Sequence, residues 1–256
     1  MRQASIGHAA ALLAWCAMFA LFAGCASAPQ RVTAEQAAAI VASPDRAEAD
    51  RTNDVRRKAA HLLAFIDARP GMRALDIAAG GGYTSELLAR SVGPAGRVWS
   101  QLPAAAKDGP GGQRLAARLA TPPMRNATLA LRPFDDPVPP QIAPGTLDRV
   151  TLLFNYHDLA HMGVDRARMN RAVFAALKPG GTFVVADHAG RAGSGISEAG
   201  SLHRIEESFL RAEVEAAGFR VIEEGQFLRN PADPRNQPTA RPAQPNDEFV
   251  LKFQKP

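Results

Sequence analysis

Residues 75–90, LDIAAGGGYTSELLAR, run from an apolar stretch into three consecutive glycines and then into a helical pattern. The apolar residues before the glycines predict a buried strand, and residues 84–93 predict a helix that ends at Gly93. A turn between a strand and a helix is where an α/β fold binds ligands, and glycine lets the backbone approach them closely. The stretch therefore predicts a ligand site, although its spacing also lies close to the dinucleotide fingerprint.

Strand and helix patterns alternate along the rest of the chain. Further strands are predicted within residues 97–102, 127–134, 147–159 and 182–190, and the last two within 220–230 and 247–255. Helices are predicted over residues 46–67, 167–178 and 201–217. This alternation predicts an α/β fold with a mostly parallel seven-stranded sheet, whose last two strands form an antiparallel hairpin at the sheet edge.

The first 25 residues have the pattern of an export signal. Arg2 is followed by an apolar run from Ala9 to Ala23, and the run ends in Phe-Ala-Gly-Cys at Cys25, which resembles a bacterial lipobox. We expect residues 1–25 to be a signal peptide with lipidation at Cys25, residues 26–48 to be a tether, and residues 49–256 to be the folded domain. A plain secretory signal, a retained helical anchor and a cytoplasmic chain with a misassigned start are the alternatives.

Composition narrows the function classes. The chain carries a net charge of +5, but its basic residues are interspersed with Asp and Glu, so no basic stripe for a nucleic acid is evident. The two cysteines, Cys16 and Cys25, both lie in the predicted export signal. A mature chain that begins with a lipidated Cys25 has no thiol pair, so its fold depends on its core.

The glycine stretch resembles motif I of the class I S-adenosylmethionine-dependent methyltransferases. That motif is a strand ending in an acid, here Asp76, followed by glycines at alternate positions, which fall on Ala78, Gly80 and Gly82. Residues 175–187, AALKPGGTFVVAD, resemble the family's helix, turn and strand after motif IV. The resemblance runs from about residue 50 to the C-terminus. It implies a Rossmann-like sandwich, S-adenosylmethionine as the cofactor and a small-molecule methyl acceptor.

A narrower resemblance connects the chain to a group of exported, predicted bacterial methyltransferases. It rests on DVRRKAAHLLAF, NYHDL, VVADHAG and LRNPADP, among other stretches. One departure concerns the second strand, where the family places an acid that holds the ribose. The chain offers Gln101 there, which can hydrogen-bond a ribose without a charge. The resemblance implies a cofactor site made of Asp76, Ala78, Ala79, Gly80, Gly81, Gly82, Tyr83, Gln101, Asp135, Asn155 and Tyr156.

Candidate catalytic residues follow the fourth and fifth strands. We expect His157 to be a general base because its ordinary pKa lies near neutrality, and Asp158 to be a base or to orient His157. The alternative is that His157 packs at the strand end and Asp158 caps the next helix. His188 and His203 are expected to bind the substrate. The histidines and nearby carboxylates are also metal-ligand types, but their spacing is long and irregular, so we predict no metal.

The favoured function is therefore methyl transfer from S-adenosylmethionine to a small molecule by an exported, lipid-anchored periplasmic protein. The alternative is an exported lipoprotein that binds a ligand on a methyltransferase fold without catalysis, which export and Gln101 favour. A nicotinamide-dependent oxidoreductase is the third interpretation, and the Leu-Lys-Pro-Gly-Gly stretch at residues 177–181 argues against it.

Overall fold

The computed structural model describes Met1, residues 31–240 and residues 245–256. The predicted signal peptide, with Cys25 and the start of the predicted tether, lies outside the described residues. Arg31–Pro256 form one compact unit. Across the described residues, none of the helices combines the length and apolar character needed to cross a membrane.

A single mixed sheet organises this unit. Its strands are β1 (Arg73–Ile77), β2 (Arg97–Leu102), β3 (Ala127–Leu131), β4 (Leu147–Leu153), β5 (Leu177–His188), β6 (Arg220–Gly225) and β7 (Glu248–Gln254). They are ordered β3-β2-β1-β4-β5-β7-β6. The first five strands are parallel, and β7 pairs antiparallel with both β5 and β6. The predicted fold class is confirmed.

The helices are distributed over both faces of the sheet. They are α1 (Ala34–Val41), α2 (Arg51–Arg56), α3 (Ala59–Ile66), α4 (Tyr83–Val92), α5 (Pro110–Leu119), α6 (Tyr156–His161), α7 (Arg166–Ala176), α8 (Ala199–Leu202) and α9 (Glu207–Glu215). Alternate residues of the buried strands point to opposite faces, as Val184 and Val185 do on β5. One face packs on α7 and α9, and the other packs on α3 and α4.

The strand order places a ligand crevice beside the glycine turn. From β1 the chain builds outward to β2 and β3, then returns to place β4 on the other side of β1. The loops after β1 and β4 therefore separate at the carboxyl ends of these strands, and α/β folds bind ligands in such a gap.

Two predicted helices are each broken by a left-handed residue. The helix expected over residues 46–67 is interrupted at Lys58, with φ of 47°, between α2 and α3. The helix expected over 201–217 is interrupted at His203, with φ of 54°, and Ile205 then pairs with Ala189 in an isolated bridge. Both breaks redirect the chain so that side chains reach the candidate site.

The folded unit begins earlier than the boundary predicted at residue 49. Helix α1 lies within the predicted tether, and Ala37 is fully buried against α3 and α4. The backbone N–H of Val32 donates to Asp67 Oδ1 at 2.9 Å. Apolar positions on α1 explain this docking, since they cover the outer surface of α3.

Candidate active site

The glycine turn after β1 has an unusual backbone. Ala78, Gly80 and Gly82 all have positive φ, of 55°, 55° and 81°. Ala78 pays for this conformation because its Cβ disfavours the left-handed region, at a cost of about 1–2 kcal/mol. Gly82 suits its position because a side chain there would strain the backbone and its Cβ would lie 2.7 Å from Leu115 Cδ1 on α5. A strained turn held in place by packing is typical of functional sites.

A first cavity of about 890 Å³ opens beside this turn. Its size falls within the range of small-molecule sites, about 300–1,000 Å³. The turn forms one wall, the start of α4 and the end of β4 form another, and residues before and within α2 close it together with α5. Seven of the predicted cofactor residues line it: Asp76, Ala78, Ala79, Gly80, Gly81, Tyr83 and Asn155.

Asp76 is a buried carboxylate at the base of this cavity. Ser85 Oγ donates to its Oδ2 at 2.6 Å, and Thr151 Oγ1 donates to its Oδ1 at 2.8 Å. Burial raises the pKa of Asp76 to about 6, against the opposing effect of these hydroxyls and of Arg57. The side chain therefore carries a desolvated negative charge at neutral pH beside the ligand space.

A network of ion pairs forms the outer wall of the first cavity. Arg118 on α5 donates to Asp50 Oδ2 at 2.7 Å and also bonds Glu86 on α4. Its Nε donates to the carbonyl of Gly81 at 2.9 Å, which ties α5 to the glycine turn. Arg90 connects Glu86 to Asp45. The acids of this wall are thus paired with arginines.

The other four predicted cofactor residues do not line the first cavity. Gln101 is fully buried: its Oε1 accepts from Ala78 N at 2.9 Å and its Nε2 donates to Arg132 O at 2.6 Å. Its amide supports the turn and is not directed to a ribose. Tyr156 is also fully buried, and its hydroxyl bonds Asn170 and Glu213. Asp135 pairs with Arg168 at 2.8 Å. The fourth, Gly82, serves helix packing.

A second cavity of about 880 Å³ lies beyond the end of β4. Aromatic, cationic and histidine side chains form much of its wall. His157, His188 and His203 line it, as do Val55, Arg56, Lys58, Phe154, Phe227, Leu228, Arg229, Asn230, Thr239, Ala240, Pro245, Asn246 and Glu248. Two predicted substrate residues and the predicted base thus share one cavity.

A contact between a cation and an aromatic ring connects the linings of the two cavities. The Arg57 guanidinium, which lines the first cavity, lies 4.7 Å from the ring centroid of Phe154, which lines the second. The same guanidinium lies 5.2 Å from the ring of Tyr83. Burial lowers the pKa of Arg57 to about 10, and its Nε has no hydrogen-bond partner among the described residues. Phe154 itself adopts a positive φ of 61°.

His157 lies between two carboxylates. Its Nδ1 is 2.6 Å from Asp187 Oδ1, and its Nε2 is 3.2 Å from Asp158 Oδ1. Burial alone would lower the pKa of His157, but the two carboxylates outweigh it and raise the pKa to about 10. The imidazole therefore holds its proton more tightly than a free histidine does, and both of its nitrogens face carboxylate oxygens. To act as the predicted general base, or to bind an ion, Nε2 would first have to leave Asp158 and release its proton.

Asp158 joins two histidines of the second cavity. Its Oδ1 is also 3.1 Å from His203 Nδ1. Burial would raise the pKa of Asp158, but hydrogen bonds with His157 and then with His203 lower it. A carboxylate with a lowered pKa is a weak base, so its geometry suits holding a cation better than accepting a proton. His188 does not contact Asp158: its Nδ1 lies 3.0 Å from Glu248 Oε1, and its ring centroid lies 5.7 Å from that of His157.

The sequence analysis did not identify Arg56, at the end of α2, or Arg57, which follows it, as residues of the candidate site. Arg56 and Arg57 contact Phe154 although almost a hundred residues separate them in the chain. The signal available was the charged run at residues 54–58, which the sequence analysis assigned to one continuous helix. Because α2 ends at Arg56 and the backbone of Lys58 is left-handed, α2 and α3 are separate helices, and both arginine side chains lie against Phe154.

Comparison with known proteins gives curated relatives that are methyltransferases. No family model matches the chain. It is 31% identical over 126 residues to the ubiquinone/menaquinone biosynthesis C-methyltransferase UbiE of Burkholderia multivorans, a match covering 49% of this chain and 47% of the relative. The corresponding protein of Cupriavidus metallidurans is 29% identical over 123 residues, or 48% and 46% of the two chains. The matches thus span about half the length of these relatives.

Solved structures share the fold over most of the chain. A SAM-dependent methyltransferase from Aquifex aeolicus aligns with a TM-score of 0.55 at 16% identity, covering 76% of this chain and 88% of that one. The [4+2]-cyclase SpnF aligns with a TM-score of 0.59 at 16% identity, covering 78% and 82%. The chain therefore has the Rossmann-like fold of class I methyltransferases. Since a cyclase shares it, the fold by itself does not define the reaction.

Proposed function

We propose that the protein transfers a methyl group from S-adenosylmethionine, bound in the first cavity, to a small molecule bound in the second. The observation that carries this proposal is the strained glycine turn, which lines a ligand-sized cavity at the switch in strand order. The curated relatives that match half of the chain are named as methyltransferases, which supports the same reaction class.

The first cavity suits this cofactor chemically. Glycines 80 and 81 expose backbone to the cavity without side chains in the way, and the start of α4 supplies N–H groups for a carboxylate. The buried carboxylate of Asp76 can attract the cofactor's ammonium or sulfonium. The cofactor supplies an activated methyl group, and the protein contributes chiefly by positioning the reactants.

Transfer between the two cavities requires the Arg57–Phe154 contact to open or to admit the methyl group. The acceptor cavity combines the rings of Phe154 and Phe227 with the cations of Arg56 and Arg229. We infer a small, partly aromatic acceptor bearing an oxygen or an anionic group.

The first test is calorimetric titration of the protein with S-adenosylmethionine and S-adenosylhomocysteine. Gly80→Asp should abolish micromolar binding, because Asp tolerates the left-handed backbone and places a carboxylate in the cavity. Gly145→Asp is the matched control: it also has positive φ and open surroundings, but precedes β4 at the opposite end of the sheet. A folded wild type that binds neither compound would refute the methyltransferase and favour a protein that binds another ligand on this fold.

We further propose that the protein is exported and anchored in a membrane through a lipid on Cys25, as the lipobox-like sequence suggests. Acyl chains on the N-terminal cysteine would hold the folded unit at the membrane surface. Cys25→Ser should move the protein from the membrane fraction to the soluble periplasmic fraction, whereas Cys16→Ser should leave the distribution unchanged. Intact mass without added acyl chains in the wild type would contradict lipidation.

A further inference from the structure

We propose that His157, Asp158 and His203 bind a divalent transition metal of the zinc type at the wall of the second cavity. One ligand atom from each residue lies within 4.8 Å of the other two. Two imidazoles and one carboxylate are ligands that Zn²⁺, Co²⁺ and Fe²⁺ accept. Metal binding at this place goes beyond the methyl transfer proposed above and does not depend on it.

The spacing of the three ligand atoms fits a metal. Around a tetrahedral ion with metal–ligand distances of about 2.0–2.1 Å, neighbouring donor atoms are about 3.4 Å apart. Asp158 Oδ1 is 3.2 Å from His157 Nε2 and 3.1 Å from His203 Nδ1. The two imidazole rings are nearly perpendicular, with centroids 5.4 Å apart. Small adjustments of the exposed His203 would complete the coordination.

Asp187 is placed like the carboxylate that supports a ligating histidine in many metal sites. It is fully buried, its Oδ1 is 2.6 Å from His157 Nδ1, and its Oδ2 accepts from the backbone N–H of His157 at 2.8 Å. A carboxylate that accepts a hydrogen bond from Nδ1–H fixes the ring orientation and directs Nε2 toward the metal, which displaces the Nε2 proton when it binds. His157 is thereby held in place by the core of the sheet.

The cluster is accessible, and its coordination would be incomplete. The side chain of His203 is 46% exposed, which gives an ion a route from solvent. Three protein ligands leave at least one position open, and two of the three ligands line the second cavity. Open positions distinguish catalytic metal sites from structural ones. If the proposed methyl transfer holds, an acceptor oxygen could occupy that position and be activated there.

The test is metal titration of the full-length protein, purified without a histidine tag and freed of metal with a chelator. Co²⁺ should produce visible absorption bands, and Zn²⁺ should bind at one equivalent by calorimetry. His203→Gly keeps a left-handed backbone while removing one ligand, and Asp158→Asn removes the carboxylate charge. Since losing an outer partner costs about 10–100-fold in affinity, losing a ligand should cost at least about 100-fold. His161→Ala, which removes an exposed histidine of the same helix region, should change nothing.

Two further measurements separate this site from adventitious binding. Asp187→Asn should weaken Zn²⁺ binding by about 10–100-fold, because it alters the support of His157 without touching the ion. Acetohydroxamate, a small oxygen chelator, should shift the Co²⁺ spectrum if positions are open toward the cavity. Equal Zn²⁺ affinity in the wild type, His203→Gly and Asp158→Asn would overturn the proposal. No cofactor is present in these titrations, so failure of the methyl-transfer proposal would not affect their result.

Discussion

At the scale of single residues, the buried carboxylate of Asp76 lowers the stability of the folded state at neutral pH while it provides a charge beside the first cavity. Its carboxylate accepts from the hydroxyls of Ser85 and Thr151 and from the backbone N–H of Ser85, yet burial still raises its pKa from 3.8 to about 6. The folded state therefore binds this proton more tightly than the unfolded state does. The resulting stability is present below the unfolded pKa and is lost as pH rises through the folded one. A cationic ligand that binds beside the charged carboxylate would raise the free energy of unfolding again.

This reasoning predicts the behaviour of Asp76→Asn. Between pH 3 and 7 the free energy of unfolding of the wild type should include a decline of about 3 kcal/mol from this group, at 1.36 kcal/mol per pKa unit. The variant should lack that decline, should be more stable than the wild type above pH 6, and should bind S-adenosylmethionine more weakly. Urea denaturation at a series of pH values measures the first two effects, and calorimetry measures the third.

Asp135→Asn provides the control for this prediction, because Asp135 pairs with Arg168 away from the buried site. It should bind S-adenosylmethionine as tightly as the wild type does, since Asp135 does not line the first cavity. If Asp76→Asn and the wild type have parallel stability profiles, then Asp76 titrates near its ordinary pKa and the proposed desolvation is absent.

At the scale of elements, the positions of the strands were predictable, but the helix breaks were not, nor was the end of β4, which stops at Leu153 and is followed by α6 where the strand was predicted to continue to residue 159. Each buried strand carries a short apolar run bounded by turn residues, so local sequence decides it. Lys58 and His203 adopt left-handed backbones without being glycine or following a proline, so no local signal marks them. Contacts distant in sequence maintain these conformations, such as those of Arg56 and Arg57 with Phe154.

Within the candidate site, the position of the glycine turn could be predicted from the sequence, but the directions of the side chains around it could not. The glycine turn is a local motif, and its position after β1 follows directly from the sequence. The direction of a side chain is not local: Tyr156 follows β4 as Asn155 does, yet it points into the core while Asn155 lines the first cavity. The His157–Asp158–His203 cluster likewise depends on the turn at His203, 45 residues after Asp158.

At the scale of the whole molecule, the folded unit extends to the N-terminal side of the methyltransferase-like region. Arg46 is fully buried, and it donates to Asp54 Oδ2 at 2.7 Å and to the carbonyl of Val41 at 2.8 Å. Tyr83, at the start of α4, donates its hydroxyl to the same Asp54 at 2.7 Å. Residues 31–48 are therefore joined to the first cavity through Asp54, and two of them, Asp45 and Ala47, line it.

A chain that begins at residue 49 should consequently be less stable than one that begins at residue 31. It loses α1, exposes the apolar surface of α3 and leaves the acids around Arg46 without their cation. Since burying one large aliphatic side chain is worth about 1.5–3 kcal/mol, we expect a loss of at least about 3 kcal/mol of unfolding free energy. Urea denaturation of the two chains measures this difference, and calorimetry with S-adenosylmethionine should show weaker binding to the shorter one. Identical denaturation midpoints and affinities would instead mean that residues 31–48 act only as a tether, because their contacts would then contribute nothing to the folded unit or to its cavity.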